Sequence, residues 1–193
     1  MKHHILPIVL SAALLSGCST TSSRRVIYFD TSIEMRLFEG NNDDFDNVER
    51  ILSHYSKLSD NYIKYDVNNV YSINQTNEEI SVDKDLYDLL KVSYSLNSLG
   101  AYHFNPLCGS LAKKWKQALA DTQILSDETI ASELNKIKSS NLIFKDNNIV
   151  QRIGEAEIDL GAIAKGYCLD KVKEYLDSKQ YKHYLIDGGR SNR

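Results

Sequence analysis

The sequence predicts an α+β domain, a mixed sheet with flanking helices. An alternating run near the N-terminus has the two-residue period of a half-buried strand, and later segments repeat apolar residues at helical spacing behind capping residues. Strand-like runs are interrupted by single helices, without the regular alternation of a parallel βαβ sheet. The 193 residues are 42% hydrophobic with 9 Gly and 2 Pro, enough for one sizeable core, which excludes collagen-like, proline-rich and wholly disordered chains. Lys plus Arg number 23 against 26 Asp plus Glu, with no dense basic block, so nucleic acid is excluded as a partner: its binding rests largely on phosphate neutralisation.

The elements follow in order. Met1-Lys2-His3-His4, an apolar run from Ile5 to Leu15 and a small-residue end read as a signal peptide over 1–17, too short to stay as a membrane span. Leu15-Ser16-Gly17-Cys18 resembles the bacterial lipobox, which implies lipidation of Cys18 and a lipid anchor on the extracytoplasmic face of a bacterial cell membrane. An ordinary secretory signal is the alternative. Residues 18–25 read as a polar tether and 26–193 as the domain.

Between Ile27 and Leu37 strict alternation predicts one long strand. Asp43 and Asp44 open a helix carrying Phe45, Val48, Leu52 and Tyr55 to about Leu58; acids there complement the helix dipole. Asp83 caps a second helix with Leu86, Leu89, Leu90 and Leu96, and Ser126 a third with Ile130, Leu134 and Ile137 on one face. Apolar runs 141–144 and 149–153 around Lys145-Asp146-Asn147-Asn148 read as a hairpin. Asp159 leads into a helix through Leu176, and Tyr184-Leu185-Ile186 is a buried strand feeding Asp187-Gly188-Gly189. Cys108 and Cys168 lie in apolar stretches without metal-binding spacing and read as buried thiols, although a single bridge is chemically allowed outside the cytoplasm.

Two segments carry the chemistry. Ile158 to Tyr167 gathers a carboxylate, two glycines and Lys165 at a turn-to-helix transition, where glycine permits close ligand approach and lysine supplies charge for phosphate. It is neither a Walker A loop nor Gly-x-Gly-x-x-Gly. The packing alternative makes Asp159 a helix cap and the glycines helix contacts. From Gly100 to Leu111, with Trp115, aromatic rings stand beside His103 and Asn105 in a Gly/Pro-bounded loop that can cover a flat ring and hydrogen-bond its edge, or simply form a buried aromatic corner.

Together these segments resemble the ApbE-like FAD:protein FMN transferases, whose fold is T-fold-related. Asp159-Leu-Gly-Ala-Ile-Ala-Lys-Gly-Tyr167 is similar to the family's central motif, Phe104-Asn105-Pro106 through Leu111 with Trp115 to its Phe-Asp/Asn-Pro loop, and Leu185 to Gly189 to its Gly-Gly strand end. Phe29-Asp30-Thr31 falls where the family usually has Met-Gly-Thr, and Leu58 to Tyr62 followed by Ser72-Ile73-Asn74 resembles its helix-to-loop segment. The resemblance implies that Asp159 and Lys165 contact FAD, and that the carbonyl of Ala162 is one ligand of an Mg²⁺ bridging the pyrophosphate. It further places His103, Phe104 and Asn105 on the flavin side, Tyr62 as a stacking tyrosine and Phe29 in the place of the strand methionine.

The implied reaction moves FMN from FAD to a Thr or Ser hydroxyl of an acceptor flavoprotein subunit, releasing AMP. Family members continue past the Gly-Gly strand into a half with an aspartate and a threonine as metal ligands and the proposed catalytic aspartate. The resemblance therefore implies an N-terminal portion, a C-terminally truncated member that is inactive alone and whose catalytic residue is unknown. A lipid-anchored flavin-binding protein without turnover, an FAD pyrophosphatase and a purely structural surface lipoprotein are the rival expectations.

Overall fold

The computed structural model describes residues 21–38, 40–96, 99–101 and 103–189; the expected signal peptide and Cys18 lie outside them. The α+β class holds. All strand pairs described are antiparallel and form two three-stranded sheets, β1-β2-β6 and β3-β5-β4, where one mixed sheet was expected.

The alternating run 27–37 is not one strand. It is a hairpin of β1 (Thr21–Tyr28) and β2 (Thr31–Phe38), turning at Phe29 and Asp30, both at φ 53°. Two consecutive left-handed residues are the signature of a type I′ turn, whose twist matches the strands it joins. β1 also takes in residues 21–25, which the composition assigned to a tether: Arg24 faces Met35 and Arg25 faces Glu34 across the ladder.

α1 (Asn42–Ser59) starts at the N-cap Asn41, whose side chain accepts from the Asp44 amide. α2 (Val70–Asn74) and β3 (Glu79–Ser81) are short and unforeseen. α3 (Lys84–Ser95) is capped by Asp83 as expected, and α4 (Gly109–Ala120) takes in the end of what read as an aromatic loop, from Gly109 on. α5 (Asp127–Ser139) is capped by Ser126, but Leu134 is exposed and the neighbouring Glu133 is buried. Glu133 accepts from Ser110 (2.7 Å) and pairs with Lys114 and Lys136, so charge satisfaction with α4 sets the helix rotation. β4 (Asn141–Lys145) and β5 (Ile149–Ile153) form the expected hairpin.

α6 (Ala164–Ser178) begins later than the sequence suggested, with Ile163 as N-cap, and β6 (Tyr184–Asp187) pairs with β2. Ile33, Met35 and Leu37 of β2 meet Val48, Leu52 and Tyr55 of α1 and Cys168, Val172 and Leu176 of α6 in one continuous core, which extends to Leu86, Leu89 and Leu90 of α3. Both cysteines are free, with Cys168 buried. No helix among the described residues is long and apolar enough to cross a membrane.

Candidate functional site

The segment from Gly154 to Leu160, between β5 and α6, belongs to no sheet, yet much of its backbone is hydrogen-bonded to neighbouring parts of the fold. On one side Gly109 N donates to Glu157 O and Asp159 N donates to Pro106 O, both at 2.8 Å. On the other, the carboxamide of buried Asn74 donates to Ile158 O (2.9 Å) and accepts from Ile158 N (2.7 Å), standing in for a neighbouring strand. Buried Arg152 donates to the carbonyls of Gly154, Ala156, Asn74 and Thr76, and burial lowers its pKa. Gly109 is required by this closeness: a Cβ there would lie 2.9 Å from both Glu157 O and Ile158 O.

This frame delivers Asp159 to a cleft of about 720 Å³ between the β1–β2 turn, the C-terminal end of α1 and the start of α6. Phe29, Asp30, Lys57, Tyr62, Lys116 and Ala164 also line it. Asp159 does not cap α6. One carboxylate oxygen accepts from Gly161 N (2.7 Å) and the other from buried Asn61 (3.2 Å), which holds the acid against the cleft wall. Asp60 is similarly engaged, accepting from the amides of Tyr62 and Ile63 and the hydroxyl of Tyr65. Cys108, at the N-cap of α4, has its thiol pKa raised by burial and by the Asp159 charge.

Of the residues singled out from the sequence, Phe29, Tyr62 and Asp159 line one cleft. Lys165 sits one residue beyond cleft-lining Ala164, its Nζ 3.4 Å from Thr31 Oγ1, and Gly188 approaches both Lys165 and Leu169. Gly189 at φ 68° packs on Thr31 and Ser32, so the Gly-Gly strand end closes on the hairpin turn. Ala162 is exposed in the turn before α6, and its carbonyl accepts no backbone hydrogen bond among the described residues; the helical ladder starts at Ile163 O. His103, Phe104 and Asn105 do not line this cleft. His103 is exposed, and Asn105 Oδ1 accepts from Leu107 N (2.9 Å), shaping its own loop. That loop reaches the site through Pro106 O, which holds the Asp159 amide, and through Gly109 N, which holds Glu157 O.

Asn61, Lys57 and Lys116 are site residues that sequence reasoning did not single out. Asn61 sits inside the segment that carried the family resemblance, whereas the two lysines belong to ordinary amphipathic helices. Among the described residues one other group has metal-binding chemistry, His54, Asp83 and Asp85, with ligand atoms within 4.8 Å of one another. Asp83 is the α3 cap and His54 Nε2 lies 2.9 Å from Asp85, so helix capping accounts for this group.

The fold and cleft define an α+β domain with an open cleft, beside which an acid and a lysine flank one turn. Residues 29–192 match the family model described as the ApbE family. The FAD:protein FMN transferase of Klebsiella pneumoniae (strain 342) is 27% identical over 113 residues, covering 57% of this chain and 35% of that protein. The one from Vibrio cholerae serotype O1 is 23% identical over 145 residues, covering 74% and 43%. Among solved structures, the ApbE protein of Thermotoga maritima superposes with a TM-score of 0.74 at 23% identity, covering 87% of this chain and 56% of that one. Flavin transferase ApbE from Vibrio cholerae gives 0.68 at 19% identity, covering 87% and 57%, and these two likenesses establish the fold. The chain belongs to the ApbE family, and it spans under half the length of the curated relatives it matches.

Proposed function

We propose that this chain supplies the FAD-holding part of an Mg²⁺-dependent FAD:protein FMN transferase, a lipoprotein anchored through Cys18 outside the cytoplasm of a bacterial cell. The observation that carries the reading is the convergence of Asp159, Lys165 and the uncommitted Ala162 carbonyl on one turn beside a cleft of dinucleotide size. Asp159, fixed by Asn61 and Gly161 N, orients a polar edge of the ligand. Lys165 supplies positive charge for a phosphate, and Phe29 and Tyr62 offer ring surface.

A carbonyl in an exposed turn with no hydrogen-bond partner among the described residues suits an oxygen-seeking cation, so Ala162 fits as one magnesium ligand, with FAD phosphates and waters as others. When bound, magnesium neutralises phosphate charge and polarises the phosphorus for attack by the acceptor hydroxyl, with AMP as the leaving group. The resemblance assigns the remaining protein ligands and the proton acceptor to a segment following the Gly-Gly strand. On this reading transfer needs that segment, and the residues named here hold flavin without transferring it.

The test incubates the 18–193 polypeptide with FAD, Mg²⁺ and a threonine-bearing acceptor. Flavin fluorescence should report binding, while mass spectrometry finds the acceptor unmodified. Absence of FAD binding would overturn the flavin reading. An FMN phosphoester on the acceptor would overturn the absence of turnover, and free FMN plus AMP would establish hydrolysis instead.

A further inference from the structure

We propose that Lys116 is a movable phosphate clamp: it rests on the ring of Tyr62 and transfers to a phosphate of the bound flavin nucleotide. This rests on the flavin reading above. Tyr62, 50% exposed at the rim, carries two ammonium groups, Lys113 Nζ at 5.2 Å and Lys116 Nζ at 4.9 Å from its ring centroid. They stand three residues apart on α4 and so share one helix face.

The two lysines are not equivalent. Lys113 is tied to Glu157 at 2.6 Å, two residues before Asp159, and so is fixed to the wall of the site. Lys116 makes no ion pair with any described residue and lines the cleft together with Asp159 and Tyr62. A cation held only by an exposed aromatic face is weakly held, whereas a charge-assisted hydrogen bond to phosphate is among the stronger polar contacts. A nucleotide phosphate entering the cleft therefore outcompetes the ring. Lys165, drawn toward Thr31, provides a separate positive point, so a dinucleotide can be held at two places along its length.

Lys116→Met keeps the aliphatic stem and removes the charge. In fluorescence titrations the variant should bind FAD about tenfold more weakly than wild type, with riboflavin, which lacks phosphate, unchanged and Lys116→Arg close to wild type. The FAD affinity of the variant should also fall less steeply with added salt. Equal FAD affinity in wild type and Lys116→Met would overturn the clamp. An equal loss for riboflavin and FAD would overturn it too, by placing the effect on the ring or the fold. Wild type that binds neither flavin would instead overturn the flavin reading beneath it.

Discussion

Asp159 donates its amide to the carbonyl of Pro106 across 2.8 Å, and that bond ties the two motif segments of the chain together. The aromatic loop thereby acts as a brace for the acid rather than as a wall of the cleft, since His103, Phe104 and Asn105 stand outside it. Disturbing the loop should move Asp159 before it removes any ligand contact.

Asn74 is the second brace. Asn74→Leu leaves Ile158 N and O buried without partners and should cost about 2–4 kcal/mol. Asn74→Asp should also be costly, because the donor to Ile158 O is lost. Urea denaturation measures both, and a loss under 0.5 kcal/mol, roughly the scale of an ordinary surface change, would show that the carboxamide is dispensable.

Gly109→Ala drives a Cβ against two backbone carbonyls and should destabilise by about 1–3 kcal/mol. Gly166→Ala is the contrast: that glycine lies in α6 with nothing within 4 Å of its Cβ position, so alanine there should stabilise by up to about 1 kcal/mol. If Gly166→Ala nevertheless weakens FAD, the glycine serves the ligand and not the helix.

Lys165→Ala should lower FAD affinity by about tenfold to hundredfold while leaving the unfolding midpoint nearly unchanged, because its one side-chain hydrogen-bond partner among the described residues is Thr31, at a long 3.4 Å. Identical dissociation constants for variant and wild type would move the phosphate site elsewhere.

The stability of the fold should fall on the acid side through Asp44. This carboxylate accepts from Tyr181 (2.5 Å) and Tyr175 (3.0 Å), and those hydroxyls, Tyr181 foremost, hold its pKa below the usual range. A depressed folded value means stabilisation that is complete above the unfolded value of about 4 and lost as pH falls through the folded one. Tyr181 is pushed up to about 12, by burial first and then by Asp44, so its contribution is complete below about 10 and lost as pH rises toward 12. Thermal melts across pH should show Asp44→Asn with a flatter acid limb than wild type.

Cys18 should incorporate labelled fatty acid in a bacterial host, and Cys18→Ala should not. Equal labelling of both would refute lipidation at Cys18, and no label on either would assign the leader to simple secretion.

Much of this was legible in the sequence. Helices with strong 3.6-residue periodicity and side-chain caps, α1, α3 and α5, appear where Asp, Asn and Ser place them. The first hairpin was hidden because the alternation runs straight through its turn, and Phe29-Asp30 lacks the Asn-Gly chemistry that announces a type I′ turn. Asp159 looked like a cap, but Gly161 takes up its side chain and delays the helix to Ala164. Glu133 displaced Leu134 from the interior because two lysines and a serine satisfy it, a long-range arrangement that no local window contains. For the candidate site, the 158–167 segment pointed to Asp159 and Lys165 and the family resemblance to Tyr62, while Lys116 became visible only when α4 was packed beside Tyr62.

A segment hung on a backbone ladder is indifferent to the side chains of its neighbours; residues 154–160 enjoy no such indifference. Asn74, Arg152 and Ser140, whose hydroxyl accepts from Ala156 N, do for this stretch what adjacent strands do elsewhere. None of the three lines the cleft. Genetic drift at these remote positions should therefore be filtered as severely as drift at the ligand-facing ones, so a mutational scan scored on flavin retention would show a sensitive ring well behind the cleft wall.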